Sequence, residues 1–133
     1  MEDTAEARFV QNFIRKARRE RLRHELATPE KRYEGISRFC HHARDLLEPS
    51  RILMEGEDLD RRAEFLRFLR AHDELCLVLT PGMSAQRLTL PLREAVAMAA
   101  AEPDAAVIIG SSFAVVFGEP VKGGRGKFLL SEK

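Results

Sequence analysis

The sequence predicts an α+β fold, with an N-terminal helical pair followed by a mixed sheet in the order ααβαβαβββ, closing on a C-terminal antiparallel meander. Apolar residues recur at helical spacing as far as Leu47, and after Pro49 the pattern shortens into β-rich runs. The 133 residues, 44% hydrophobic and 32% charged, suit one ordinary domain that buries roughly two thirds of its extended surface. Residues 1–133 are therefore expected to form a single domain, with the helical pair in 1–49 and the sheet plus two further helices in 50–133.

The first helix is expected to begin near Thr4, because Phe9, Val10, Phe13, Ile14 and Ala17 share one sector at 100° per residue. Leu22 and Leu26 leave that sector, so the helix either bends or meets a second neighbour. Thr28 is placed to cap a second helix and Pro29 suits its first position. Its stripe is Tyr33, Ile36, Phe39, Cys40, Ala43, Leu46 and Leu47, and Pro49 stops it.

Ile52-Leu53-Met54 reads as a short strand, after which Asp58 or Asp60 opens a helix with Leu59, Ala63, Phe65, Leu66 and Leu69 on one face and Phe68 pointing away. Leu75 to Thr80 is an unbroken apolar run ended by Pro81-Gly82, as in a strand buried on both sides. Pro91 starts a helix with Leu92, Ala95, Val96 and Ala99 inward, closed by Glu102-Pro103-Asp104. Ala105–Ile109, Ser112–Phe117 and Lys127–Ser131 form the meander, with glycine at Gly110-Ser111 supplying unusual turn dihedrals. Two strand-helix-strand crossovers predict parallel strands, a mixed sheet and helices over at least one face.

Phe13-Ile14, Lys16-Ala17-Arg18-Arg19-Glu20-Arg21, Leu26, Pro29, Lys31-Arg32 and Leu47-Glu48-Pro49-Ser50-Arg51-Ile52 together resemble a group of small uncharacterised bacterial proteins. About 40 residues carry the resemblance well, and the helix after Pro91 and the final hairpin carry it more loosely. It implies a bacterial single-domain protein and brings no activity or site with it.

Charge supplies the functional pointer. Six of the nine residues from Arg15 to Arg23 are basic in a chain of net charge +1. Residues 1–23 hold seven Lys/Arg against four Asp/Glu, a local +3, which leaves −2 on the other 110 residues. That balance argues against wholesale coating of DNA or membrane and for a locally met partner. Arg15, Lys16, Arg19 and Arg23 fall within about 100° on a helical wheel, one cationic face for a phosphate backbone or an acidic protein. The alternative is a solvated face partly engaged with Glu20, Glu25 or acidic groups elsewhere. No aromatic stands between Ile14 and Tyr33, so stacking on single-stranded bases has no platform there.

Other constellations are weaker. Cys40-His41-His42 with Asp45 holds residue types used in nucleophilic or metal chemistry, and His41 and Asp45 share a helical face. Cys40 lies on the apolar stripe, however, which predicts a buried thiol. Gly123-Gly124-Arg125-Gly126-Lys127 lacks phosphate-loop spacing and is followed by a strand where an anion-binding helix is needed. Ser111-Ser112 lacks a nucleophile elbow. His24 and His72 are expected at solvent.

Cys40 and Cys76 have no zinc-type spacing and read as reduced, packed thiols. The N-terminus lacks a signal-type apolar run and no stretch approaches the ~20 residues of a membrane span, so a cytoplasmic address is expected. The reading is a non-catalytic binding module with partner-binding residues Arg15, Lys16, Arg19 and Arg23, an anionic or protein partner and no implied metal or cofactor. Nucleic acid is one such partner. The alternatives are a self-associating subunit built on a sheet edge or Phe68, and an enzyme centred on Cys40, His41, His42 and Asp45.

Overall fold

A computed structural model describes residues 4–81, 88–101, 105–119 and 125–132. The fold is α+β. Helices α1 (Ala5–Phe13), α2 (Lys16–Ala27), α3 (Pro29–His41) and α4 (Ala43–Leu46) precede strand β1 (Ile52–Glu55). Helix α5 (Ala63–Ala71), strands β2 (Leu75–Leu79) and β3 (Leu88–Pro91), helix α6 (Leu92–Ala101) and strands β4 (Ala106–Ile109), β5 (Phe113–Phe117) and β6 (Lys127–Ser131) follow.

The strands form one sheet in the order β1-β6-β5-β4-β2-β3. Every neighbouring pair is antiparallel, so the expected mixed sheet is corrected. Of the two expected crossovers, the first joins strands of like direction, β1 and β2, but with three strands between them, and the second joins β2 to β4, which pair antiparallel. The unpredicted strand β3 makes the difference: its pairing with β2 inserts a hairpin ahead of α6.

Side chains alternate between two cores. On β5, Ala114 and Val116 join a cluster with α1 to α4, whereas Phe113, Val115 and Phe117 join one with α5 and α6. Strands β4 and β6 divide in the same way, through Val107, Ile109, Phe128 and Leu130 against Ala106, Ile108 and Leu129. A period of two with both faces covered explains their continuous apolar runs. Helices thus pack on both faces of the sheet.

The helical half departs from two helices. Ile14 leaves α1 with extended dihedrals, φ −102° and ψ 140°, and pairs with Leu47 in an isolated antiparallel bridge. The Arg15 amide donates to the Leu46 carbonyl and the Glu48 amide to that of Phe13, both at 2.8 Å. The break at Ile14 is therefore set by a segment more than thirty residues away. A further break at His42, with φ −121° and ψ 33°, separates α3 from α4.

Several local expectations change. Thr28 precedes α3 without capping it; its hydroxyl donates back to the His24 carbonyl at 2.8 Å. Tyr33 and Leu66, assigned inward, are exposed. Phe68 is instead partly buried, with His72 stacked on it at 4.0 Å, so neither points freely to solvent. Gly110 keeps a negative φ, since Gly56 alone is positive among the described residues. Gly110 is required by space: an added Cβ would fall 2.3 Å from the Phe113 ring. Leu92, Ala95, Val96 and Ala99 are buried as expected, although Pro91 ends β3 rather than opening α6. Residues 102–104 lie outside the described residues.

Candidate functional site

Helix α2 buries only Leu22, Glu25 and Leu26. Arg15, Lys16, Arg18, Arg21 and Arg23 are exposed, and Arg19, one of the four predicted residues, is half-buried. Arg18, which the wheel angle left out, is exposed in the same first turn of α2. Among the described residues, Lys16, Arg18 and Arg23 form no ion pair, while Arg21 reaches Glu25 at 3.6 Å.

Arg15 and Arg19 have a second role. Arg15 Nε donates to the Leu47 carbonyl at 3.1 Å and Arg19 Nε to that of Ile14 at 2.9 Å. The two acceptors are the partners of the isolated bridge. Beside them the Glu48 carboxylate is held below its usual range, first by the Ser50 amide and hydroxyl and then by the charges of Arg15 and Arg19.

This charge is placed against the fold's own preference. The first turn of α2 has no acidic residue, and its N-cap, Arg15, makes no side-chain cap. Each cation near the positive end of a helix dipole costs typically ~0.3–1 kcal/mol at the surface.

The opposite flank of α2 is tied down. Arg38 Nη1 on α3 donates to Glu25 Oε2 at 2.5 Å, and Glu25 Oε1 is buried with no hydrogen-bond partner among the described residues. Gly35 permits this approach, because a Cβ there would stand 2.8 Å from Glu25 Cβ.

The alternative catalytic cluster is not assembled. Cys40 is 2% exposed, as its stripe position predicts, and burial, reinforced by the charge of Glu119, pushes its thiol up to about 12. His41 Nδ1 lies 3.0 Å from Glu119 Oε2 rather than pairing with Asp45. No local signal announces a partner 78 residues away. His42 meets His41 edge-on at 4.6 Å. These two histidines, Tyr33, Ser37, Arg38 and Glu119 border an open depression of about 420 Å³ on α3.

Both cysteines are free and buried. Among the described residues no group of three or more His, Cys, Asp or Glu is arranged to hold a metal. In the glycine-rich segment, Arg125 donates from Nε to the Gly118 carbonyl at 2.9 Å and from Nη1 to that of Ala99 at 3.1 Å, closing the end of α6; residues 120–124 lie outside the described residues. No helix among the described residues is long and apolar enough to cross a membrane. The chain matches no family model, no curated protein and no solved structure.

Proposed function

We propose that the protein is a cytoplasmic, non-catalytic binding module that engages an anionic partner through α2, with Arg15, Lys16, Arg19 and Arg23 as the contacting residues and Arg18 beside them. One observation carries the reading: cations stand exposed in the first turn of a helix that has neither acidic residue nor cap there. Places where a sequence breaks local rules of structure are expected at functional sites. The near-neutral whole fits a partner met at this patch alone.

Retention on immobilised heparin tests this. The wild type is retained and Lys16→Glu with Arg23→Glu is not, whereas Arg67→Glu with Arg70→Glu, equal in net charge and exposed on α5, remains retained. Equal loss in both double variants would reduce the effect to net charge and contradict the proposal. Lys16 and Arg23 are chosen and Arg19 is left in place, because Arg19 also supports the joint at Ile14.

A further inference from the structure

We infer that the partner of this surface is a double-helical nucleic acid held through its phosphates, with Arg15 and Arg19 presenting guanidinium groups already oriented for oxyanions. The inference rests on the reading of α2 as a binding surface and narrows it to one class of macromolecule.

The first support is the bridge. Ile14 and Leu47 are paired, and each carbonyl receives the Nε of one arginine, Arg19 and Arg15 respectively. A guanidinium held through Nε leaves its two Nη groups as the fork that grips a phosphate through two parallel hydrogen bonds. Pinning also removes part of the ordering cost that a long side chain incurs on binding. Glu48 stands nearby, but its Oε2 accepts from the Ser50 amide at 3.2 Å and the Ser50 hydroxyl at 3.0 Å. No ion pair joins it to either arginine among the described residues.

The second support is what the surface lacks. The exposed residues of α2 are Lys16, Ala17, Arg18, Glu20, Arg21, Arg23, His24 and Ala27. Protein interfaces draw their energy from buried aromatic and arginine anchors seated in pockets, and single strands are held by stacking on aromatic rings. No Phe, Tyr or Trp and no large aliphatic side chain is exposed on α2. Arginines without aromatic or large aliphatic neighbours suit a partner gripped by charge, and duplex phosphates are such a partner. The row from Lys16 to Arg23 is about 10 Å long, against a duplex carrying a charge about every 1.7 Å of its axis.

Fluorescence anisotropy with a short mixed-sequence DNA duplex, the matching single strand and polyglutamate decides the matter. With four phosphate contacts, raising salt from about 50 to about 200 mM weakens duplex binding roughly 100-fold, and Lys16→Gln with Arg23→Gln cuts that to about 10-fold. Arg15→Lys with Arg19→Lys keeps the charge but loses the forks, and weakens binding by roughly 10-fold. If that variant fails to fold, the Lys16 and Arg23 pair carries the test alone. Absence of duplex binding, or duplex binding indifferent to the Lys16 and Arg23 substitutions, overturns the inference. Polyglutamate binding that depends on the α2 charges, without duplex binding, overturns it while leaving the α2 reading standing.

Discussion

Arg32 on α3 holds Glu6 on α1 in a buried two-pronged ion pair, with Nη1 donating to Oε1 at 2.6 Å and Nη2 to Oε2 at 3.1 Å. Arg32 Nη1 also donates to the Leu26 carbonyl at the end of α2, at 2.8 Å. One guanidinium therefore fixes three helices and sets where the cationic face of α2 points. Arg32→Met leaves the Glu6 carboxylate buried without its charge partner. It should lower unfolding free energy by about 3–5 kcal/mol, and Glu6→Leu added to it should restore much of the loss. Urea unfolding of the single and double variants measures this.

Gly35→Ala is expected to destabilise, although alanine is the better helix former by about 1 kcal/mol. The new Cβ would stand 2.8 Å from Glu25 Cβ, so Glu25, which also holds Arg38, must shift to admit it. Overpacking of this kind costs typically about 1–3 kcal/mol. A lower thermal midpoint confirms the close approach; a higher one would show that propensity wins and that α2 is free to shift.

Acid should weaken the α2–α3 contact. The Glu25 pKa lies below 4.5, first because Arg38 donates a hydrogen bond to it and then through the charges of Arg38, Arg21 and Lys31, against an opposing effect of burial. A depressed carboxylate stabilises fully above its unfolded value, and that stabilisation disappears as pH falls through the folded value. Glu25→Gln should flatten the stability profile below pH 4.5. An unchanged acid limb in the variant would assign the loss to other carboxylates.

Both thiols should resist modification in the folded protein. Burial raises Cys40 and Cys76 to about 12, with Glu119 adding to the first and Glu74 and Asp73 to the second. Thiolate is then scarce at neutral pH. Reaction with a disulfide reagent is expected only after urea is added. Fast reaction at Cys40 without denaturant would revive the catalytic reading of that cluster.

Lys16→Glu should stabilise the fold while weakening polyanion binding. It places an acid at the first position of α2, where a cation now opposes the helix dipole, and such exchanges are worth typically ~0.3–1 kcal/mol for each charge. A parallel fall in stability and binding would mean that Lys16 supports the structure.

Much of this was legible in local pattern. The buried runs of β4, β5 and β6 announced strands, and the spacing of Leu92, Ala95, Val96 and Ala99 announced α6. Strand β3 was not legible, because Leu88-Thr89-Leu90 is only three residues ahead of a proline that equally well opens a helix. Its omission made the β2-to-β4 connection read as a parallel crossover, whereas the β1-to-β2 crossover gives no parallel pair because β6, β5 and β4 lie between them. The break at Ile14 was hidden for a different reason, since its cause is Leu47, brought alongside by the fold. The exposed cations of α2 followed from sequence, whereas the anchoring of Arg15 and Arg19 on two paired carbonyls, and the pairing of His41 with Glu119, required coordinates.

The most direct test of the α2 surface is an NMR titration with a short heparin oligosaccharide, following backbone amides together with the side-chain Nε–H signals of Arg15 and Arg19. Shifts confined to residues 15–24, with both Nε–H signals among the largest, are the predicted result. Shifts centred on Tyr33, Ser37 and His41, or none at all, would contradict it.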